Sequence, residues 1–209
     1  MPPGYGGTPP VEPYSFESVV RALGGAFDGP AVLVGHSMGG MIAQEAWARF
    51  PERIRGLVLA FTSSAFGGTG SDFARSFIEA RIQPLDFGRS MNDIAARLIP
   101  TMHGSVSDPF GLVNAMNIMA SVPPDTYRRA VAMLTTFDRR SLLPAISVPT
   151  LVVAGGDDMV APASVMERMA QKIPGAEYVC LPGCGHLGPM DQPAAFNAAL
   201  LAFLQRRSL

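Results

Sequence analysis

What most constrains this chain is a set of four short strand-length runs, three of them apolar without alternation. Ala31-Val32-Leu33-Val34 follows Asp28-Gly29-Pro30 and stops at Gly35. Residues 56–61 stop at Thr62-Ser63-Ser64, residues 150–154 at Gly155-Gly156, and residues 176–181 at Pro182-Gly183. A sheet with one wet face alternates apolar and polar residues. Strand-length runs that are apolar at successive positions belong instead to strands covered on both faces, as in a parallel sheet. Between the runs lie stretches of helical period: 14–27, 38–50, 162–172 and 192–207. In the first, Ser15 is a candidate N-cap, and Phe16, Val19, Val20 and Leu23 share one face. Alternating strands and helices predict an α/β architecture, with a mostly parallel sheet and helices on both faces.

One long interruption breaks this alternation. From about residue 65 to 147 no strand-like run occurs, and residues 73–82, 91–98, 112–120 and 126–137 read as four amphipathic helices. Both ends of the interruption return to strands. The expected organisation is therefore a core of residues 1–64 and 148–209 carrying a helical cap, 65–147. Met91, Met102, Met116, Met119 and Met133 in that segment are expected to be adaptable apolar packing.

The composition excludes several classes. Of 209 residues, 48% are hydrophobic and 16% charged, which suits a packed core and not a disordered chain. Sixteen basic residues against 17 acidic ones leave a net charge of −1, so no basic excess exists to attract nucleic acid or an anionic membrane surface. The apolar runs are strand-length, far below the roughly 18 residues needed to span a bilayer. Cys180 and Cys184 are too few for a disulfide framework, and no secretory leader is readable at Met1-Pro2-Pro3. The expectation is a cytoplasmic chain with no nucleic-acid or membrane partner.

Gly35-His36-Ser37-Met38-Gly39-Gly40 is the most informative motif. Gly-x-Ser-x-Gly is weak as a pattern alone, but here it joins the end of a strand to the start of a helix. A sharp strand-to-helix turn strains the serine backbone, projects its hydroxyl above the sheet, and sets it beside a helix N-terminus that favours a developing oxyanion. Ser37 is thus the candidate nucleophile, and a serine needs a base. Three histidines are available. His36 adjoins the serine on the turn and points elsewhere, and His103 lies in the helical insertion. His186, in the loop Pro182-Gly183-Cys184-Gly185-His186, can bring its ring across the carboxyl edge of the sheet. Gly155-Gly156-Asp157-Asp158 offers two carboxylates to orient that imidazole. From the residues alone both stay open, one of them competing as a helix cap before Pro162. Cys184 reads as a small buried side chain and not a thiol catalyst.

These motifs resemble the α/β-hydrolase-fold serine hydrolases of the capped esterase, enol-lactonase and haloperoxidase-like kind, over nearly the whole chain. In that family the acid lies three residues after the glycine and four before the proline, which selects Asp158. The resemblance implies a catalytic set of Ser37, Asp158 and His186, with the backbone N–H of Met38 as oxyanion donor. It implies no cofactor and no metal. The expected reaction is cleavage of an ester, lactone or related small acyl substrate through an acyl-enzyme. The alternatives are carbon–carbon bond hydrolysis by the same residues, or a non-catalytic binding module.

One departure stands out. Gly4-Tyr5-Gly6-Gly7-Thr8-Pro9 resembles the family's loop after the fourth strand, yet here it opens the chain. The expectation is that the first strands, and a His-Gly turn supplying a second oxyanion donor, are missing. His103-Gly104, in the insertion, is no substitute. The run 31–34 should then form an open apolar edge prone to self-association.

Overall fold

The computed structural model describes residues 2–26, 28–68 and 70–209. Four strands, β1 (Ala31–His36), β2 (Ile54–Ala60), β3 (Thr150–Gly155) and β4 (Glu177–Leu181), form one sheet in the order β1-β2-β3-β4. Every pairing is parallel, so each crossover must carry a helix or more. Helix α1 (Phe16–Gly24) precedes the sheet and α2 (Met38–Arg49) links β1 to β2. Four helices stand between β2 and β3: α3 (Asp72–Asp86), α4 (Met91–Leu98), α5 (Pro109–Ala120) and α6 (Pro124–Leu134). Helix α7 (Ala163–Lys172) links β3 to β4, and α8 (Gly188–Asp191) and α9 (Pro193–Arg207) close the fold.

The unalternating runs are apolar because both faces of the sheet are covered. Leu57, Leu59, Val152 and Ala154 pack with Ala43 and Trp47 of α2 and with Met166, Met169 and Ala170 of α7. Their neighbours Val58, Ala60, Leu151 and Val153 turn to the opposite face, against Phe196 and Phe203 of α9. All eight strand residues are fully buried. Each large side chain so buried contributes about 1.5–3 kcal/mol relative to exposure.

Most of the sequence-predicted helices are present with shifted ends. Ser15 caps α1 by accepting from the Ser18 N–H at 3.2 Å, as expected. The helix stops at Gly24 and not at residue 27, which lies outside the described residues. Helix α4 has the expected bounds, held by a capping box in which Ser90 and Asp93 bond each other's backbone. Helix α3 runs four residues past the expected end, through Pro84. A proline there costs the helix the one backbone bond its own N–H would have made, and the helix continues past it. An antiparallel bridge between Ala65 and Asp138 ties the two ends of the helical insertion together.

Candidate active site

The turn after β1 is built around two close approaches. A Cβ at Gly35 would strike the Gly39 carbonyl oxygen and come within 2.6 Å of the Gly40 Cα, and one at Gly40 would meet the Thr62 side chain at 2.6–2.8 Å. Only glycine lets the strand, the turn and the end of β2 close so tightly. Ser37 sits between them at φ 52°, ψ −119°, a strained conformation for a residue with a side chain. The turn is held there from β2: the Ser37 N–H donates to the Ala60 carbonyl at 2.9 Å, and the Thr62 hydroxyl donates to the Ser37 carbonyl at 2.7 Å. Met38 then opens α2, where backbone N–H groups lack intrahelical acceptors and carry the positive end of the helix dipole.

The carboxyl ends of β3 and β4 deliver the other two groups. His186 Nε2 lies 2.8 Å from Ser37 Oγ, and its Nδ1 lies 2.9 Å from Asp158 Oδ2. A carboxylate only accepts, so Nδ1 carries the proton in the neutral ring and Nε2 is left to accept from the serine hydroxyl. His186 is 4% exposed and Asp158 3%. Burial alone would raise the Asp158 pKa. The hydrogen bond from His186, and N–H groups of Ala161 (2.9 Å) and Val160 (2.7 Å) on Oδ1, outweigh it and hold the carboxyl below its ordinary value. Asp158 is therefore a buried, ionised carboxylate with both oxygens accepting hydrogen bonds.

Asp157 points the other way. It is exposed, and its Oδ2 accepts from the Ser105 hydroxyl at 2.5 Å and the Ser105 N–H at 2.9 Å, which lowers its pKa. The expectation that one aspartate caps the following helix thus changes. Asp158 accepts from the residues just before α7 and also holds His186, whereas Asp157 fastens the loop of the helical insertion. Cys184 is fully buried, and burial pushes its thiol up to about 12, leaving no reactive thiolate. His103 is exposed and bonds the Gly104 carbonyl at 2.8 Å, away from the serine.

Two residues with structural roles here were not legible in the sequence. Asp191, 3% exposed, gathers three donors: Gly185 N–H at 2.8 Å, Gly104 N–H at 3.0 Å and the Ser107 hydroxyl at 2.5 Å. It thereby fastens the loop before His186 to the insertion, where the Met102 carbonyl also accepts the His186 N–H at 2.7 Å. The two loops touch backbone to backbone, since a Cβ at Gly185 would overlap Met102 and Gly104. No local pattern marks an aspartate whose partners lie 6, 84 and 87 residues away.

His36 is the second. Its Nε2–H donates to the His186 carbonyl at 2.6 Å, the only role a ring nitrogen can take against a carbonyl. Its ring also lies 5.3 Å from that of His186. Burial, aided by the His186 ring, pushes the His36 pKa down from 6.5 to about 4. A ring kept neutral does not oppose positive charge on its neighbour. The stability consequence has a definite sign. Between pH 6.5 and about 4 the unfolded chain protonates this group while the folded chain does not. Stability is full above that window and falls as the pH drops through it, by on the order of 3 kcal/mol from this residue. Urea unfolding across the window should show a shallower pH slope in His36→Gln than in the parent. Equal slopes would show that His36 is not the titrating group.

Among the described residues, no group of three or more His, Cys, Asp or Glu side chains is placed to hold a metal ion, and no helix is long and apolar enough to cross a membrane. The arrangement joins a strained serine at a helix N-terminus to an imidazole and a buried carboxylate. The chain is 25% identical, over 97% of its own length and 66% of the relative's, to a pimeloyl-[acyl-carrier protein] methyl ester esterase of Neisseria meningitidis. It superposes on a thermophilic esterase from Thermogutta terrifontis with a TM-score of 0.84 at 27% identity, covering 98% of this chain and 78% of that one. An enol-lactonase from Burkholderia xenovorans gives 0.85 at 25% identity, with the same coverage. The chain thus spans roughly two thirds to four fifths of the length of such relatives. The model of the Alpha/beta hydrolase family matches residues 2–199, and with the parallel sheet and the kinship to esterases and an enol-lactonase this means that the chain belongs to that family and is an enzyme of hydrolase type.

Proposed function

We propose that this chain is a serine hydrolase that cleaves an ester, lactone or related acyl substrate through an acyl-enzyme. The observation that carries the reading is the continuous hydrogen-bonded relay from Asp158 through His186 to Ser37. The Ser37 oxygen attacks the substrate carbonyl as its proton passes to His186 Nε2. The Met38 N–H, at the positive end of α2, holds the oxyanion. Collapse of the tetrahedral adduct breaks the bond to the leaving oxygen, which takes the proton from Nε2. Water then repeats the sequence, with His186 as base, and the acid is released. Asp158 keeps Nδ1 protonated throughout and stabilises the imidazolium that forms twice per turnover. His36, neutral beside it, adds no opposing charge. The scheme calls for neither cofactor nor metal.

The relatives named above act, by their names, on a methyl ester, on esters and on an enol-lactone, which favours acyl–oxygen over carbon–carbon cleavage. Residues 65–147 serve, in this reading, as a cap over the site that selects the substrate while supplying none of the chemistry. Its support is the contact of this segment with the base and acid loops through Met102, Gly104 and Ser105. A fluorophosphonate probe tests the whole scheme. Labelling should map by peptide mass to Ser37 and disappear when the triad histidine is replaced. A folded chain that never labels would favour a binding module.

The open edge suggests self-association. Among the described residues β1 pairs only with β2, and Val34 on it is 50% exposed. An apolar groove of about 300 Å³ lies beside it, lined by Val32 and Val34 and by Leu23 of α1. Unpaired apolar edges recruit other strands, and a lysine on the edge blocks this. Val34→Lys is expected to shift the chain toward monomer in size-exclusion chromatography at matched concentrations. An unchanged elution profile would remove the edge from consideration.

A further inference from the structure

One cavity lies away from the serine. About 450 Å³ in volume, it opens among α3, α4 and the first turn of α6. None of the residues lining it belongs to the Ser37–His186–Asp158 relay. Three arginines converge on it, Arg81 from α3, Arg89 from the turn between α3 and α4, and Arg97 from α4. Neighbouring arginines are neutralised: Arg75, Arg128 and Arg129 pair with Asp72, Asp86 and Glu12. Among the described residues Arg81, Arg89 and Arg97 have no carboxylate within ion-pair distance. Arg81 instead lies over the Phe77 ring, 5.0 Å from its centroid. The one carboxylate in the wall, Asp93, is engaged in capping α4 through the Ser90 N–H and hydroxyl, each at 2.8 Å.

A second observation is independent of the charge. Tyr127 lines the same cavity and is 9% exposed, yet its hydroxyl has no hydrogen-bond partner among the described residues. Burial pushes its pKa up against the opposing pull of the Arg81 guanidinium close beside it, so it remains a protonated donor, and an arginine cannot accept its proton. A buried hydroxyl left without an acceptor is costly, and a fold that tolerates this holds a place for an acceptor. Three guanidiniums and one carboxylate leave an excess of two positive charges, and Pro84, Ile94 and Leu98 provide an apolar wall.

We propose that this cavity binds a small organic phosphate. Its dianionic head is held by the guanidiniums of Arg81, Arg89 and Arg97 and accepts from the Tyr127 hydroxyl, while an apolar substituent rests on Pro84 and Leu98. A phosphate matches the two-charge excess and presents three strong acceptor oxygens, and the planar arginine fork binds such oxygens in pairs. A single carboxylate would leave one charge and some donors unmet. The cavity is of the size that encloses small ligands, roughly 300–1,000 Å³.

Phenyl phosphate is the probe, titrated into the full chain by calorimetry, with inorganic phosphate and benzoate in parallel. One saturable site is expected, with Kd below about 1 mM, and tenfold or more weaker for benzoate. Arg97→Gln, at an exposed helix position, should weaken phenyl phosphate by at least about tenfold, and Arg97→Lys should recover only part of the loss. Tyr127→Phe should weaken it several-fold, while Arg75→Gln, an exposed arginine of α3 outside the cavity, should leave it unchanged. Circular dichroism melting establishes that each variant is folded. Absence of saturable binding, benzoate binding as tight as phenyl phosphate, or equal affinity in Arg97→Gln and Arg75→Gln would each overturn the proposal.

Discussion

Replacing Ser37 with alanine is expected to lower kcat toward a small activated ester by on the order of 10⁴–10⁶, because the attacking atom itself is removed. What remains should be the weak acceleration that an oxyanion donor and binding supply without a nucleophile. The variant should not be less stable than the parent. Ser37 is held at φ 52° by Gly35, Gly40 and Thr62, a conformation that serves the hydroxyl's position and not the fold. The measurements are kcat from initial rates and the melting temperature of the same preparation. A variant that turns over within about tenfold of the parent would exclude Ser37 as nucleophile.

The second large effect separates two adjacent carboxylates. Asp158→Asn should reduce kcat by on the order of 10⁴, through the tautomer and not the geometry. The amide can present an NH₂ group to Nδ1, which must then accept. The ring proton moves to Nε2, and the nitrogen that should take the serine proton is already protonated. Asp157→Asn, by contrast, changes only an exposed contact with Ser105, and kcat should stay within about tenfold. The orienting carboxylate is held ionised below the ordinary carboxylate range, so the contrast between the two variants should persist across neutral pH. If Asp157→Asn proved the more damaging change, the orienting acid would be misassigned.

Some of this was legible because it is local. The turn Gly35-His36-Ser37-Met38-Gly39-Gly40 is specified within six residues: a strand that must end, a serine, a helix that must begin, and small residues where segments touch. The runs at 31–34, 56–61 and 150–154 announced a sheet covered on both faces, since successive residues each needed an apolar neighbour. Met91–Leu98 emerged with its expected bounds because both of its ends are signalled nearby. The last turn of α3 lies beyond the expected end at residue 82, since the helix continues through Pro84 to Asp86.

The sequence by itself determined the order of elements, the serine at the turn, and His186 as the histidine able to reach it. Each follows from the spacing of neighbouring residues, where backbone sterics and side-chain burial act over a few positions. Only the tertiary structure turned Asp158 inward and Asp157 toward Ser105, since residues so close in sequence differ in direction and not in chemistry. It alone set Asp191 between Gly185 and Gly104, and His36 against the His186 carbonyl. It also gathered Arg81, Arg89, Arg97 and Tyr127 around one cavity. Hydrogen bonds and Coulomb forces act over a few ångströms of space whatever the distance along the chain, so partners 84 to 150 residues apart leave no trace in local pattern.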